Sequence, residues 1–211
     1  GADPARRICQ NLVALLSTAH RAVPRRFWPC LFRLAILAAA VLAGSSGADA
    51  ESASPREYQI KAAFLFNFAQ FVEWPPATLA NPPAPLVVGV LGEDPFGSHL
   101  EDTVRGETVG GRPLVVRRYR RVEEVQTCHI LFISGSESSR CETILAALHR
   151  RPILTVSDVA GFAGRGGMIE LFTDKSKIRL RIDLAPAHAG GLAISSKLLR
   201  PAEVVTSSPS S

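Results

Sequence analysis

Arg56-Glu57-Tyr58-Gln59-Ile60-Lys61-Ala62-Ala63-Phe64-Leu65-Phe66-Asn67-Phe68-Ala69-Gln70-Phe71-Val72-Glu73-Trp74-Pro75-Pro76 is the stretch on which the fold turns. Ser54-Pro55 ahead of it supplies an N-cap and the proline favoured at the first helical position. Pro75-Pro76 behind it stops a helix, because neither residue donates the next backbone bond. Ile60, Phe64, Phe68 and Phe71 recur at three- and four-residue spacing and predict an apolar stripe facing a core. Phe66, Val72 and Trp74 fall off that stripe. A helix apolar nearly all round needs cover on more than one side, from its own core and from a second surface. Phe66 and Trp74 are in excess of what one face requires and, with Tyr58 and Asn67 of the same stretch, are the candidates for a face turned to a partner or a second copy. The alternative is a buried core helix with a tightly packed aromatic end.

Upstream, the first fifty residues stand apart. Arg25-Arg26 and Arg33 flank a short apolar run, Leu34-Ala35-Ile36-Leu37-Ala38-Ala39-Ala40-Val41-Leu42-Ala43, which Gly44-Ser45-Ser46-Gly47 interrupts. Ala48-Asp49-Ala50 then gives the small-x-small pattern read by signal peptidase. This predicts a secretory signal peptide cleaved after Ala50, and a run too short for a stable membrane anchor. The predicted organisation is an extension and leader over 1–50, one domain over 51–205 and a disordered tail over 206–211.

The leader also carries most of the charge imbalance. The whole chain has 24 basic and 19 acidic residues, a formal charge of +5. Arg6, Arg7, Arg21, Arg25, Arg26 and Arg33 lie in the leader with only Asp3 and Asp49, leaving 18 basic and 17 acidic residues beyond Ala50. Arg117-Arg118-Tyr119-Arg120-Arg121 remains as a basic run, and in an exported protein a solvated strand end explains it better than nucleic-acid binding. Of four cysteines, Cys9 and Cys30 go with the leader, so Cys128 and Cys141 remain. One begins a strand and the other lies about a turn into the next helix. At about 3.3 Å per strand residue they sit beyond the roughly 7 Å Cα limit of a disulfide, which predicts two free, partly buried thiols.

Downstream the pattern alternates between strand and helix. Pro85-Leu86-Val87-Val88-Gly89-Val90-Leu91 is a continuous apolar run, as in a parallel strand buried on both faces. Asp94 is positioned to cap a helix that starts at Pro95 and buries Phe96, Leu100 and Val104. Further strands are expected at 113–116, 129–133, 153–156 and 168–172. An amphipathic helix through Ile144, Leu145 and Leu148 and a short helix over Val159 and Phe162 fall between them. Residues 177–184 alternate polar and apolar, as an antiparallel edge strand does, and a final helix is expected from Ala187 to Leu199. The fold class that results is a three-layer α/β/α sandwich with a mostly parallel sheet and an antiparallel edge hairpin.

Chemistry has little support. Gly89-Val90-Leu91-Gly92-Glu93-Asp94 lacks the phosphate-binding glycine spacing, and its two acids repel phosphate. Ser134-Gly135-Ser136-Glu137 lacks a nucleophile-elbow pattern, and the histidines show no metal spacing with cysteines or carboxylates. No catalytic set, metal or cofactor is predicted. A ligand crevice at the strand carboxyl ends, near Gly92, Asp94, Ser134 and Ser157, remains conceivable, as open α/β sheets often offer one.

Tyr58-x-Ile60-Lys61-Ala62-Ala63-Phe64-x-x-Asn67-Phe68-x-x-Phe71-x-x-Trp74-Pro75 resembles the signature helix of the YfiR-like periplasmic regulators. So do Leu91-Gly92-x-Asp94-Pro95-Phe96-Gly97, Gly111-Arg112, Cys128-His129-Ile130-Leu131-Phe132-Ile133, Leu154-Thr155-Val156-Ser157-Asp158 and Gly166-Gly167-Met168-Ile169. They occur in the family's order from about Glu57 to Val205. One departure is Asp183, where that family usually has Asn. The resemblance implies a periplasmic homodimer that holds a membrane diguanylate cyclase inactive by binding its periplasmic domain, and so limits cyclic-di-GMP and biofilm formation. It also implies release by envelope stress, with Cys128 and Cys141 as redox candidates. Three classes stay open: a protein-binding repressor with an apolar surface patch, a small-molecule sensor with a pocket at the strand ends, and a hydrolase that joins a Ser, a His and an acid.

Overall fold

The computed structural model describes residues 55–79 and 84–206, so the predicted leader, its cleavage point and all but the first residue of the tail lie outside the described residues. An eight-stranded sheet forms the middle layer, in the order β10-β8-β7-β6-β5-β2-β4-β3. Its strands are β2 (Leu86–Leu91), β3 (Thr108–Val109), β4 (Arg112–Tyr119), β5 (Ile130–Ile133), β6 (Leu154–Ser157), β7 (Ile169–Asp174), β8 (Lys177–Asp183) and β10 (Glu203–Val205). The run β4-β2-β5-β6-β7 is parallel throughout, with Leu86 opposite Leu114, Val88 opposite Ile130, Ile130 opposite Leu154 and Val156 opposite Ile169. Every residue of β2, β5 and β6 is buried, because helices cover both faces of a parallel sheet.

One face carries α1 (Pro55–Phe71) and α2 (His99–Val104), packed over Val88, Val90, Ile130, Phe132, Leu154 and Val156. The other carries α3 (Cys141–Leu148), packed over Val87, Leu91, Leu131, Ile133 and Phe162. The α/β sandwich with a mostly parallel sheet is therefore as the sequence predicts.

Several elements differ in their details. β7 and β8 form the expected antiparallel hairpin, but β8 is not the edge, since β10 adds to it in parallel. Asp94 accepts from Phe96 N at 2.8 Å and so makes a turn rather than a helix cap, and α2 begins only at His99. Residues 158–162 form a turn before a short 3-10 helix over Ala163–Arg165, where a helix over Val159 and Phe162 was expected. The final helix is two pieces, α4 (Leu184–Ala189) and α5 (Ser196–Leu199). Gly190 and Gly191 end the first piece, and β9 (Ala193–Ile194) then pairs with β1 (Val72–Glu73) in a separate two-stranded sheet. The signature helix accordingly ends at Phe71, before Pro75-Pro76.

Candidate functional site

α1 is apolar on two faces, and the structure assigns them differently from the periodicity. Ala62, Leu65 and Phe68 are fully buried and Ala69 nearly so, with Leu65 at the middle of the buried arc. Ile60, which heads the predicted core stripe, lies on the outside, 44% exposed. Phe64, Asn67 and Phe71 follow it at helical spacing, all half-buried, while Gln59, Ala63 and Gln70 are exposed. Phe64 leans on Phe68 with ring centroids 6.2 Å apart, and both Phe64 and Phe71 brace the edge of the core. Phe66 is half-buried against the same core. The outer side of α1 is thus a ridge of Ile60, Ala63, Phe64 and Phe71 around the amide of Asn67, and this is the candidate site.

Two of the predicted partner-facing residues are held inside instead. Trp74 is only 8% exposed. Its indole Nε1 donates to the His129 carbonyl at 3.3 Å, and its ring meets the His129 imidazole edge-on at 5.9 Å. Tyr58 stacks edge-to-face on Phe96, and its hydroxyl donates to Asp158 Oδ2 at 2.9 Å. Burial, and then the Asp158 charge, push the Tyr58 phenol above its ordinary range. Lys61 sits beside it with 3% of its side chain exposed, 2.6 Å from Asp158 Oδ2, 2.7 Å from Glu57 Oε1 and 4.4 Å above the Tyr58 ring. Lys61 and Asp158 were not singled out as site residues from the sequence. The available signal was the Glu57–Lys61 spacing of four on one helix.

At the strand carboxyl ends, the residues expected to line a crevice are taken up by contacts within the protein. Gly92 has φ +92°, and a Cβ built on it meets Ser136 Oγ at 2.5 Å and Glu137 Cγ at 2.8 Å, so the segment after β5 plugs the space between β2 and β5. Ser136 Oγ also accepts from Glu93 N at 2.9 Å. Ser134 accepts from Ser136 N, and Ser157 donates to the Ile133 carbonyl at 2.7 Å while accepting from Val159 N. Asp94 takes the Arg118 guanidinium as well as Phe96 N. All four predicted crevice residues are engaged by the protein itself. Two described cavities lie at the opposite, amino ends of the strands. One of about 360 Å³ is lined by Val72, Trp74, Leu86 and Arg112, and one of about 260 Å³ by Thr78, Cys128, His129 and Arg151.

Cys128 and Cys141 are both free and buried. Burial pushes the Cys128 thiol up to about 12, and its sulfur lies 3.1 Å from the Ile130 carbonyl. Burial also raises the Cys141 thiol. Next to Cys128, the neutral His129 ring accepts from Val87 N through Nδ1 at 3.0 Å. Burial, followed by the nearby Arg112 charge, lowers its pKa. Glu170, 2% exposed, receives Gly161 N, Ala163 N and Arg181, and Asp183 caps α4 by accepting from Ala185 N at 2.9 Å.

The YfiR/HmsC-like family model matches residues 58–203. No curated protein matches the chain. Among solved structures, a conserved domain protein from Vibrio cholerae O1 biovar El Tor is similar at 12% identity and TM-score 0.47, covering 70% of this chain and 59% of that one. An ABC domain from Streptococcus pneumonia, solved with L-Trp, is similar at 12% identity and TM-score 0.43, covering 57% and 55%. The chain spans less than two thirds of the length of both. Among the described residues, no helix is long and apolar enough to cross a membrane.

Proposed function

The chain belongs to the YfiR/HmsC-like family of periplasmic regulators of cyclic-di-GMP synthesis, and from that premise we propose that it represses a membrane-bound diguanylate cyclase by binding the cyclase's periplasmic domain. The observation that carries the reading is the second apolar face of α1. Leu65, Phe68 and Ala69 already bury one side of the helix, yet Ile60, Ala63, Phe64 and Phe71 continue as an apolar ridge on the other. A ridge of this kind fits a protein surface better than water does. Its centre, Asn67, supplies the polar contact that fixes register.

The test is binding of the purified chain to the periplasmic domain of a membrane diguanylate cyclase from the same organism, with cyclase activity followed in membranes. Ile60→Asp places a charge in the ridge without touching the core. It is expected to weaken binding about tenfold or more and to relieve repression, with the fold of the single chain intact by circular dichroism. Unchanged affinity would remove the ridge from the contact. Absence of binding by the wild-type chain would sink the repressor reading itself.

A further inference from the structure

β4 ends the parallel part of the sheet and leaves most of its outer edge open. β3 covers it only at Arg112 and Pro113. In a parallel ladder the N–H and C=O of one residue point to the same side, and the side alternates along the strand. The Tyr119 carbonyl accepts from Gly92 N and so faces β2, while Leu114 N donates to the Glu107 carbonyl on the outer side. Val116 and Arg118 therefore turn their main-chain groups outward, and no described residue pairs with them there. The stretch 114–119 holds no proline, and β2 follows it residue for residue, so nothing twists this edge away from an incoming strand.

The charges along the edge select what can add to it. Arg118 folds back onto Asp94 and Glu101, and Arg121 meets Glu124. Arg117, whose side chain also bonds Tyr119, and Arg120, just beyond the strand end, remain exposed, and no carboxylate among the described residues lies within ion-pair distance of either. A second copy pairing edge to edge would set these arginines against their own counterparts, and like charges across a strand pair are unfavourable. A strand bearing acids finds two cations waiting beside unpaired main-chain groups. We propose that the outer edge of β4 takes an added strand from an acidic extended segment of a partner protein. Main-chain bonds to Val116 and Arg118 give affinity, and Arg117 and Arg120 give selectivity. The proposal uses a surface separate from the α1 ridge and does not rest on the cyclase reading.

The test is fluorescence anisotropy with the purified chain and a labelled short peptide that alternates Glu with Val, beside a Lys-Val analogue and an unstructured poly-Glu of equal charge. Saturable binding is expected for the Glu-Val peptide alone. The Arg117→Glu/Arg120→Glu variant is expected to weaken it about tenfold or more. Val116→Pro removes the outward N–H, together with a side chain that packs against the core, and is expected to abolish binding. Because loss of folding would give the same readout, a Glu-Val peptide N-methylated at alternate residues makes the same cut from the other side and is expected not to bind wild-type chain. No binding of the Glu-Val peptide, equal binding of the Lys-Val or poly-Glu peptide, or full affinity of the N-methylated peptide would each overturn the proposal.

Discussion

Lys61 keeps its charge almost out of water, between Asp158 and Glu57 and over the Tyr58 ring. Removing one partner of such a pair leaves the other buried and uncompensated. Lys61→Met is therefore expected to cost about 3 kcal/mol, read as a lower midpoint in urea, whereas Arg105→Met, which breaks an exposed pair with Asp102, should leave the midpoint in place. His129 gives a pH dependence. Its Nδ1 accepts from Val87 N, so the ring is neutral in the fold, and its pKa is depressed by burial and by Arg112. Below about pH 6.5 the unfolded chain takes up a proton that the folded chain resists, so stability is lost as the pH falls. Melting temperatures at pH 7.5 and 5.5 are expected to differ for the wild type. The difference should shrink for His129→Gln, whose side-chain oxygen accepts the same bond uncharged. Lys61 and His129 stand in the sequence only as members of the quoted motifs, without a role, because each finds its partner across the fold, Asp158 ninety-seven positions away and Val87 forty-two.

At the scale of elements, hydrophobic runs were legible and helix ends were not. β2, β5 and β6 read directly as buried parallel strands, since both faces of such strands are apolar. α1 was legible as a helix apolar nearly all round but not in its orientation. Five of its aromatic residues populate both arcs, and the buried arc contains Lys61, a residue that hydrophobic periodicity counts against burial. The final helix failed for a different reason. Ala187 to Leu199 has helical composition apart from Gly190-Gly191, and there Gly191, at φ +74°, ends the helix in the left-handed region that favours glycine. Gly190 lies so close to the turn after α3 that a Cβ would stand 2.7 Å from the Arg151 carbonyl oxygen. A backbone atom cannot swing aside as a side chain can. Gly190→Ala is expected to cost about 1–3 kcal/mol in denaturant titration, although alanine favours helices. A neutral or stabilising effect would show that the α4–β9 corner yields easily.

At the scale of the whole molecule, the layers follow from the order of elements, while the close packing at Gly92 does not, because it comes from Ser136 and Glu137 on a neighbouring connection. Among the described residues the surface holds an apolar ridge on α1, a basic strand edge on β4 and a second sheet edge at β10, where Val204 is 56% exposed. The β4 edge repels its own copy, and we propose that the α1 ridge serves self-association. Long-range charge does little to oppose it, since the residues beyond Ala50 carry 18 basic against 17 acidic side chains. A homodimer closed by α1 against α1 makes the folded state depend on protein concentration by mass action. The melting temperature is therefore expected to rise with concentration in the wild type and to be independent of it in Ile60→Asp, with sedimentation showing dimer for the first and monomer for the second. A wild-type chain that sediments as a monomer throughout would rule out the dimer and leave Ile60 and Phe64 to the cyclase alone. A dimer that survives Ile60→Asp would place the contact between copies elsewhere and leave α1 free while the dimer is intact.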